Sequence, residues 1–227
     1  MYQITCDNEI LYDIRLKNRL VLSPVLNLEI GKNGTLSFII PPNNDLYNSI
    51  RQRKSIIKVY QVDKVNNSYV KTELFRGIAY SEKMDFWKRK QIECEGELSF
   101  FNDTVVRPYE FNGTVTNLFK QYVNNHNSQV GSEKQFTPRN CDFNSNVVRA
   151  NINYPTTKEE IDNKLINLIG GHFEVEESNN VRYIDYKQNY LNNATQYIEF
   201  GKNLLNITQF IKTDDVATRI IPLRKKR

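Results

Sequence analysis

The first hundred positions alternate apolar and polar residues, and the period then lengthens. Ile4, Cys6, Ile10, Tyr12, Ile14 and Leu16 recur at every second position within their runs. Residues 2–6 and 10–16 are therefore expected as strands sharing one apolar face. Leu26, Leu28 and Ile30 alternate with Asn27 and Glu29, and Leu36, Phe38 and Ile40 return after Gly31-Lys32-Asn33-Gly34. The Asn-Gly pair marks a hairpin turn. Pro41-Pro42 ends the returning strand, because proline cannot donate to a ladder. Residues 43–50 are expected as one helical turn capped by Asn44 or Asp45, and Ser55 to Val62 as a further strand with a turn at Asn66-Asn67. The longest alternation runs from Leu74 to Asp103. Leu74, Arg76, Ile78 and Tyr80 interleave with Phe75, Gly77 and Ala79. A polar stretch broken by Met84, Phe86 and Trp87 follows. Gln91, Glu93, Glu95 and Glu97 then interleave with Ile92, Cys94, Gly96 and Leu98, and Ser99–Asp103 reads as a closing turn. A run of about seven strands with almost no helix predicts a small barrel or sandwich.

After Val106 the apolar residues fall at helical spacing. Val115, Leu118, Phe119, Tyr122 and Val123 share one face of a helix expected over 113–125, with Asn112 or Thr114 as cap. Residues 107–109 read as a connector and 146–154 as a strand stopped by Pro155. Thr156 or Thr157 caps a second helix whose stripe is Ile161, Leu165, Leu168 and Ile169, ended by Gly170-Gly171. A hairpin over 172–177 and 181–186 follows, and strands are expected at 197–202 and 211–223. The expected fold class is α+β and predominantly β. An N-terminal β-barrel domain (1–106) leads into a helix-containing α+β region (107–213) and a last segment (214–227) that enters a new domain.

Composition and charge narrow the chemistry. The net charge of +5 falls largely on Arg224, Lys225, Lys226 and Arg227, so the body is close to neutral and argues weakly for nucleic acid. Cys6, Cys94 and Cys141 lie far apart without a C-x-x-C, so reduced thiols are expected. No signal peptide is evident, and no apolar run approaches the roughly 20 residues of a membrane span. His126 and His172 stand outside any triad motif, and a surface or capping role is expected for each. Cys94 is expected to be an inert core thiol. The cysteines and histidines lack zinc-ligand spacing. Glu93, Glu95 and Glu97 read as one exposed acidic strand face, and Asp214-Asp215 and Glu159-Glu160 as turn and helix-start charges. Arg51, Arg53, Lys54, Lys88, Arg89 and Lys90 with Phe86 and Trp87 are the right types to stack and hold single-stranded nucleic acid. Glu82, Asp85, Glu93 and Glu95 beside them oppose that reading, so Phe86-Trp87 is expected to mark a protein contact or a partly buried hairpin tip. No catalytic, cofactor-binding or metal residues are assigned, and no cofactor is expected.

The order of these elements has a likeness. A strand with F-x-G (Phe75, Gly77), a polar stretch, then I-x-C-E-G-E-L (Ile92 to Leu98) and a turn ending Asn102-Asp103 resembles the N-terminal hub region of phage tail-tip proteins, the tail-associated lysin or prophage endopeptidase tail family. The amphipathic helix followed by His126-Asn127-Ser128-Gln129-Val130 and Lys134-Gln135-Phe136, within 111–143, and the stretch DVATRIIPL at 215–223 extend the resemblance. It implies a structural, non-enzymatic hub at the tail tip of a virion or phage-tail-like particle, made in the host cytoplasm. It further implies a homotrimeric ring linking the distal tail protein to spike, fibre or lysin components, with the tape-measure protein ending near its lumen, and neither nucleic acid nor membrane as partner. Family hubs insert a helix-containing domain between two barrels, so the resemblance implies that 107–213 is the inserted α+β region and 214–227 the start of a second barrel domain. The rival reading is a peptidoglycan endopeptidase with His126 or His172 beside Cys141 or a carboxylate. A single-strand nucleic-acid-binding barrel is the third.

Overall fold

The long alternation at residues 74–103 becomes the spine of a seven-stranded antiparallel sheet. The computed structural model describes residues 1–189 apart from 30, 67 and 180, together with residue 199, and Met1–Asn189 pack as one unit. The strands are β1 Tyr2–Cys6, β2 Glu9–Asp13, β3 Leu22–Asn27, β4 Thr35–Ile40, β5 Ile56–Val65, β6 Ser68–Met84 and β7 Lys90–Gly96. Their order is β2-β1-β5-β6-β7-β4-β3. The sheet curls into a half-barrel with β2 and β3 as its edges. At 17 residues, β6 is the longest strand described. Its first part pairs with β5, from Val65↔Ser68 to Ile56↔Ile78, and its second part with β7, from Gly77↔Gly96 to Met84↔Lys90. Bulges at Val59/Tyr60 and Ala79/Ser81 sharpen the local twist.

Gly77 and Gly96, the glycines of the two sequence stretches singled out above, are cross-strand partners. A Cβ on Gly77 would lie 2.1 Å from the Glu95 carbonyl oxygen, and one on Gly96 would lie 1.7 Å from that of Asn33. Only glycine lets the β3–β4 turn close over this crossing.

Inside the curl sits a mostly aliphatic core. Leu36, Phe38 and Ile40 of β4 meet Ile92 and Cys94 of β7, as their alternation predicts. The β2 face differs from expectation. Ile4 pairs with Tyr12 and Thr5 with Ile10, so Leu11 is the extra residue of a bulge. Leu11 is fully buried, whereas Ile14 is 69% exposed beyond the strand's end. Residues 43–50 form turns and not a helical turn. The Asn44 side chain is buried there. Its amide donates to the carbonyls of Leu11 and Leu20, and its oxygen accepts from Leu46 N–H. One amide thus ties the β2 edge to the segment entering β3.

The second layer starts with a 3₁₀ helix at Glu97–Asp103, two residues earlier than the expected turn. β8 Tyr109–Thr114 pairs with β10 Asn146–Asn151. β9 Thr137–Cys141 lies parallel to β12 Val181–Lys187, which is antiparallel to β11 His172–Ser178. β8 includes part of what read as a connector, and β9 (TPRNC) has no alternation to announce it. Helix α1 Val115–Asn127 starts at Thr114, whose hydroxyl accepts from Asn117 N–H. It buries the expected stripe plus His126. Thr156 caps α2 Thr157–Ile161, and α3 Asn167–Ile169 follows a π turn at Asp162–Ile166. The π turn inserts a residue into the helical repeat and rotates what comes after it. Ile161 and Leu165 are accordingly buried, while Leu168 is 61% exposed. Gly170 and Gly171, at φ +91° and +80°, end the helix. The core of this layer is rich in aromatics: Phe100, Phe101, Phe119, Tyr122, Phe136 and Tyr186 are all buried, among aliphatic side chains such as Leu118, Leu165 and Ile184. The strands expected at 197–202 and 211–223, and the start of a second barrel, lie outside the described residues.

Candidate assembly surface

The residues of the enzymatic readings are spread over both layers of the described structure. Of the surface or capping role expected for each histidine, the surface half is overturned, because both are buried. His126 is fully buried, with Nε2 3.0 Å from the Lys134 carbonyl and Nδ1 3.0 Å from the Thr104 hydroxyl. A carbonyl only accepts, so Nε2 carries the proton and Nδ1 accepts from Thr104. Burial pushes its pKa down, and the ring is neutral near pH 7. His172 lies 3.0 Å from Glu174 on its own strand. Cys6 and Cys94 are core thiols; burial pushes Cys6 up to about 11 and Cys94 higher still. Cys141 is half-buried, near the Phe143 carbonyl. Among the described residues, no group of three His, Cys, Asp or Glu side chains is arranged to hold a metal ion.

The acidic strand face also divides. Glu93 and Glu95 are half-buried on β7, but Glu97 turns into the 3₁₀ helix and is buried. Its Oε1 accepts from Arg182 Nε at 2.8 Å. Arg182 also donates to the Glu133 and Gln135 carbonyls and lies over the Phe100 and Phe136 rings. Burial raises the Glu97 pKa despite the facing guanidinium. Beside this pair, Arg76 of β6 binds Glu73 and contacts Glu177 of β11. Ion pairs thus join the half-barrel to the second layer. Sequence reasoning missed Glu97 and Arg182, because a buried charge is announced only by its partner.

The outer surface exposes apolar side chains at several places. The edges β2 and β3 flank an apolar groove of about 480 Å³, lined among others by Tyr2, Tyr12, Ile14, Pro24, Leu26 and Val59. Both ends of β6 run out into hairpins. The β5–β6 hairpin leaves Val65, Tyr69 and Val70 about half exposed. The β6–β7 tip carries Phe86 at 91% and Trp87 at 67% exposure. Asp85 Oδ1 accepts from Arg89 N–H and Oδ2 from Arg89 Nε, which fixes the turn. Arg89 lies over the Trp87 ring at 5.1 Å. Both rings are therefore exposed, Phe86 more than Trp87, while the Tyr47 hydroxyl donates to the Lys88 carbonyl behind them.

No protein-family model matches the sequence, and no curated protein matches it. Solved structures do. A prophage tail protein, gp18 of Listeria monocytogenes EGD-e, matches with a TM-score of 0.55 and 12% identity, over 88% of this chain and 55% of that one. A chain of the Francisella PdpA-VgrG complex gives a TM-score of 0.48 at 14% identity, over 83% of this chain and 28% of that one. The E. coli c3393 protein is a type VI secretion component with structural similarity to T4 bacteriophage tail proteins gp27 and gp5. It gives 0.38 at 9% identity, over 74% and 48%. This chain spans about half the length of the prophage tail protein. The fold is similar to that of the prophage tail protein over most of this chain.

Proposed function

We propose that this chain is a structural hub component of the tail tip of a phage, prophage or phage-tail-like particle, and that it works by assembly and not by catalysis. The observation that carries the reading is the fold shared with a prophage tail protein across 88% of the chain. The hub assembles as a homotrimeric ring. It joins the distal tail protein to spike, fibre or lysin parts, and the tape-measure protein ends at its lumen. It is made in the host cytoplasm and resides in the virion. A ring needs a surface that a neighbour can complete. The free edges of the half-barrel, the apolar groove between them and the projecting hairpins supply such surfaces. Buried histidines and the core thiols Cys6 and Cys94 suit a scaffold.

The test is molar mass by light scattering across a concentration series, with cell-wall lysis assayed in parallel. A trimer without lysis is expected. A monomer at every concentration would overturn the ring, and wall lysis abolished by His172→Ala or Cys141→Ala would overturn the scaffold.

A further inference from the structure

The β6–β7 hairpin carries a protruding aromatic tip at one end and lies against an acidic pocket at the other. The tip is Phe86 and Trp87, held out by the Asp85–Arg89 turn. From Glu82 to Lys90 there are four cations against two carboxylates. Arg89 pairs with Asp85 and Lys90 with Glu82. Lys83 and Lys88 have no ion-pair partner among the described residues. The tip is thus an apolar knob with an excess of positive charge at its base.

The pocket has the opposite character. It holds about 390 Å³, enough to admit an indole ring. Leu74, Leu98 and Val175 give it an apolar floor, and Glu29, Glu73 and Glu177 an acidic rim. Two rim cations answer those three carboxylates: Lys32 pairs with Glu29, and Arg76 is shared between Glu73 and Glu177. Glu97, deeper in, is answered from behind by Arg182. Among the lining residues alone this leaves one carboxylate in excess, and Lys58, the cross-strand partner of Arg76, acts on Glu73 from the neighbouring strand. Leu28 lines the same pocket and is 55% exposed.

Knob and pocket cannot meet within one molecule. Between Phe75 at the pocket and Met84 at the tip, β6 runs nine residues, about 30 Å at the rise of a strand. A contact between different patches on two copies is heterologous and propagates until rotation closes it. Aromatic and arginine side chains are the usual anchors of such contacts.

We propose that the Phe86–Trp87 knob of one copy docks in the Glu29–Glu73–Glu177 pocket of the next. This inference rests on the ring reading and names the surfaces that build the ring. The knob supplies two rings and Arg89, and the pocket supplies the apolar floor and the charge complement. Trp87 is the chain's single tryptophan, so its emission reports the contact directly.

The experiment uses the full chain and two variants checked for fold by circular dichroism. Phe86→Ser with Trp87→Ser removes an exposed knob. Leu28→Arg, at an exposed position, fills the pocket with a repelling cation. Each variant alone is expected to self-associate about 30-fold more weakly than the parent. Mixed together, they are expected to form a one-to-one dimer, because one intact knob then meets one intact pocket. In the parent and in that mixture, the Trp87 emission moves to shorter wavelength as mass increases. A parent oligomer that both variants retain overturns the knob and pocket and leaves the ring standing. Variants that lose assembly but do not dimerise on mixing overturn them equally. A parent that is monomeric throughout overturns both the contact and the ring.

Discussion

The two cores of the unit are made differently. The half-barrel core is mostly aliphatic and follows a two-residue repeat, with Leu36, Phe38, Ile40, Ile92 and Cys94 along β4 and β7. The second core is rich in aromatics and threaded with hydrogen-bonded polar groups. His126 meets Thr104, whose hydroxyl lies 2.8 Å from that of Thr157. Tyr109 donates to Glu160 and shares a hydrogen bond with Tyr122. The first core can be rebuilt with any apolar residues of the right size. The second is specified by partners, each of which is costly when orphaned. One chain thus uses shape filling where a sheet repeats and polar pairing where helices, 3₁₀ turns and strands meet irregularly.

The largest effect is expected where the two regions join. Glu97→Leu leaves the Arg182 guanidinium buried without its carboxylate, and a broken buried pair costs about 3–5 kcal/mol. Arg182→Leu is expected to cost less, because a carboxyl whose pKa burial already raises takes up a proton, while a guanidinium cannot lose one. With Arg182 gone, Glu97 is held neutral in the fold. Its contribution is present below the unfolded pKa and fades as pH rises, so this variant should gain stability on acidification. Urea titrations of both variants at two pH values check the asymmetry, and equal losses at both would refute it.

Next come the polar staples of each core. Asn44→Ala strips the buried carbonyls of Leu11 and Leu20 of their donor, at about 1–3 kcal/mol. Thr104→Val does the same to His126 Nδ1, at a similar cost. Chemical denaturation would resolve them. A near-neutral Thr104→Val would mean that the second core is held by its apolar side chains alone.

A smaller effect separates the cores by pH. His126 is neutral and buried, with its folded pKa below the unfolded value of about 6.5. Its contribution is complete above that value and is lost as pH falls through the window down to the folded pKa. Melting temperature should therefore drop with acidification, and His126→Gln should flatten that slope. The smallest effect is chemical. Cys141 should react with a maleimide first, while Cys6 and Cys94 wait for the half-barrel to open. Simultaneous labelling would show that the cores open together.

This difference also explains what could be read in advance. The β4 alternation, the β6–β7 hairpin and the α1 stripe are legible because burial there depends on neighbours two to four residues away, whereas β3 ends at Asn27 and leaves Leu28, expected on its apolar face, exposed. The bulge that buries Leu11 is not, since it is set by pairing with β1. β9 is held by a parallel partner over forty residues downstream and has no local pattern. Glu97 read as one more member of an exposed acidic face, because its partner lies 85 residues away. The exposed tip was partly legible: Phe86 and Trp87 stood out, but not the Asp85–Arg89 turn that presents them.

The length of β6 has a mechanical consequence. Ladder bonds lie perpendicular to the strands they join. A pull along β6, between its β5–β6 hairpin and its Phe86–Trp87 tip, therefore loads the bonds to β5 and β7 in shear and all together, not one after another. The strand acts as a tension member running through the half-barrel. A force delivered at one hairpin reaches the other without bending the sheet between them.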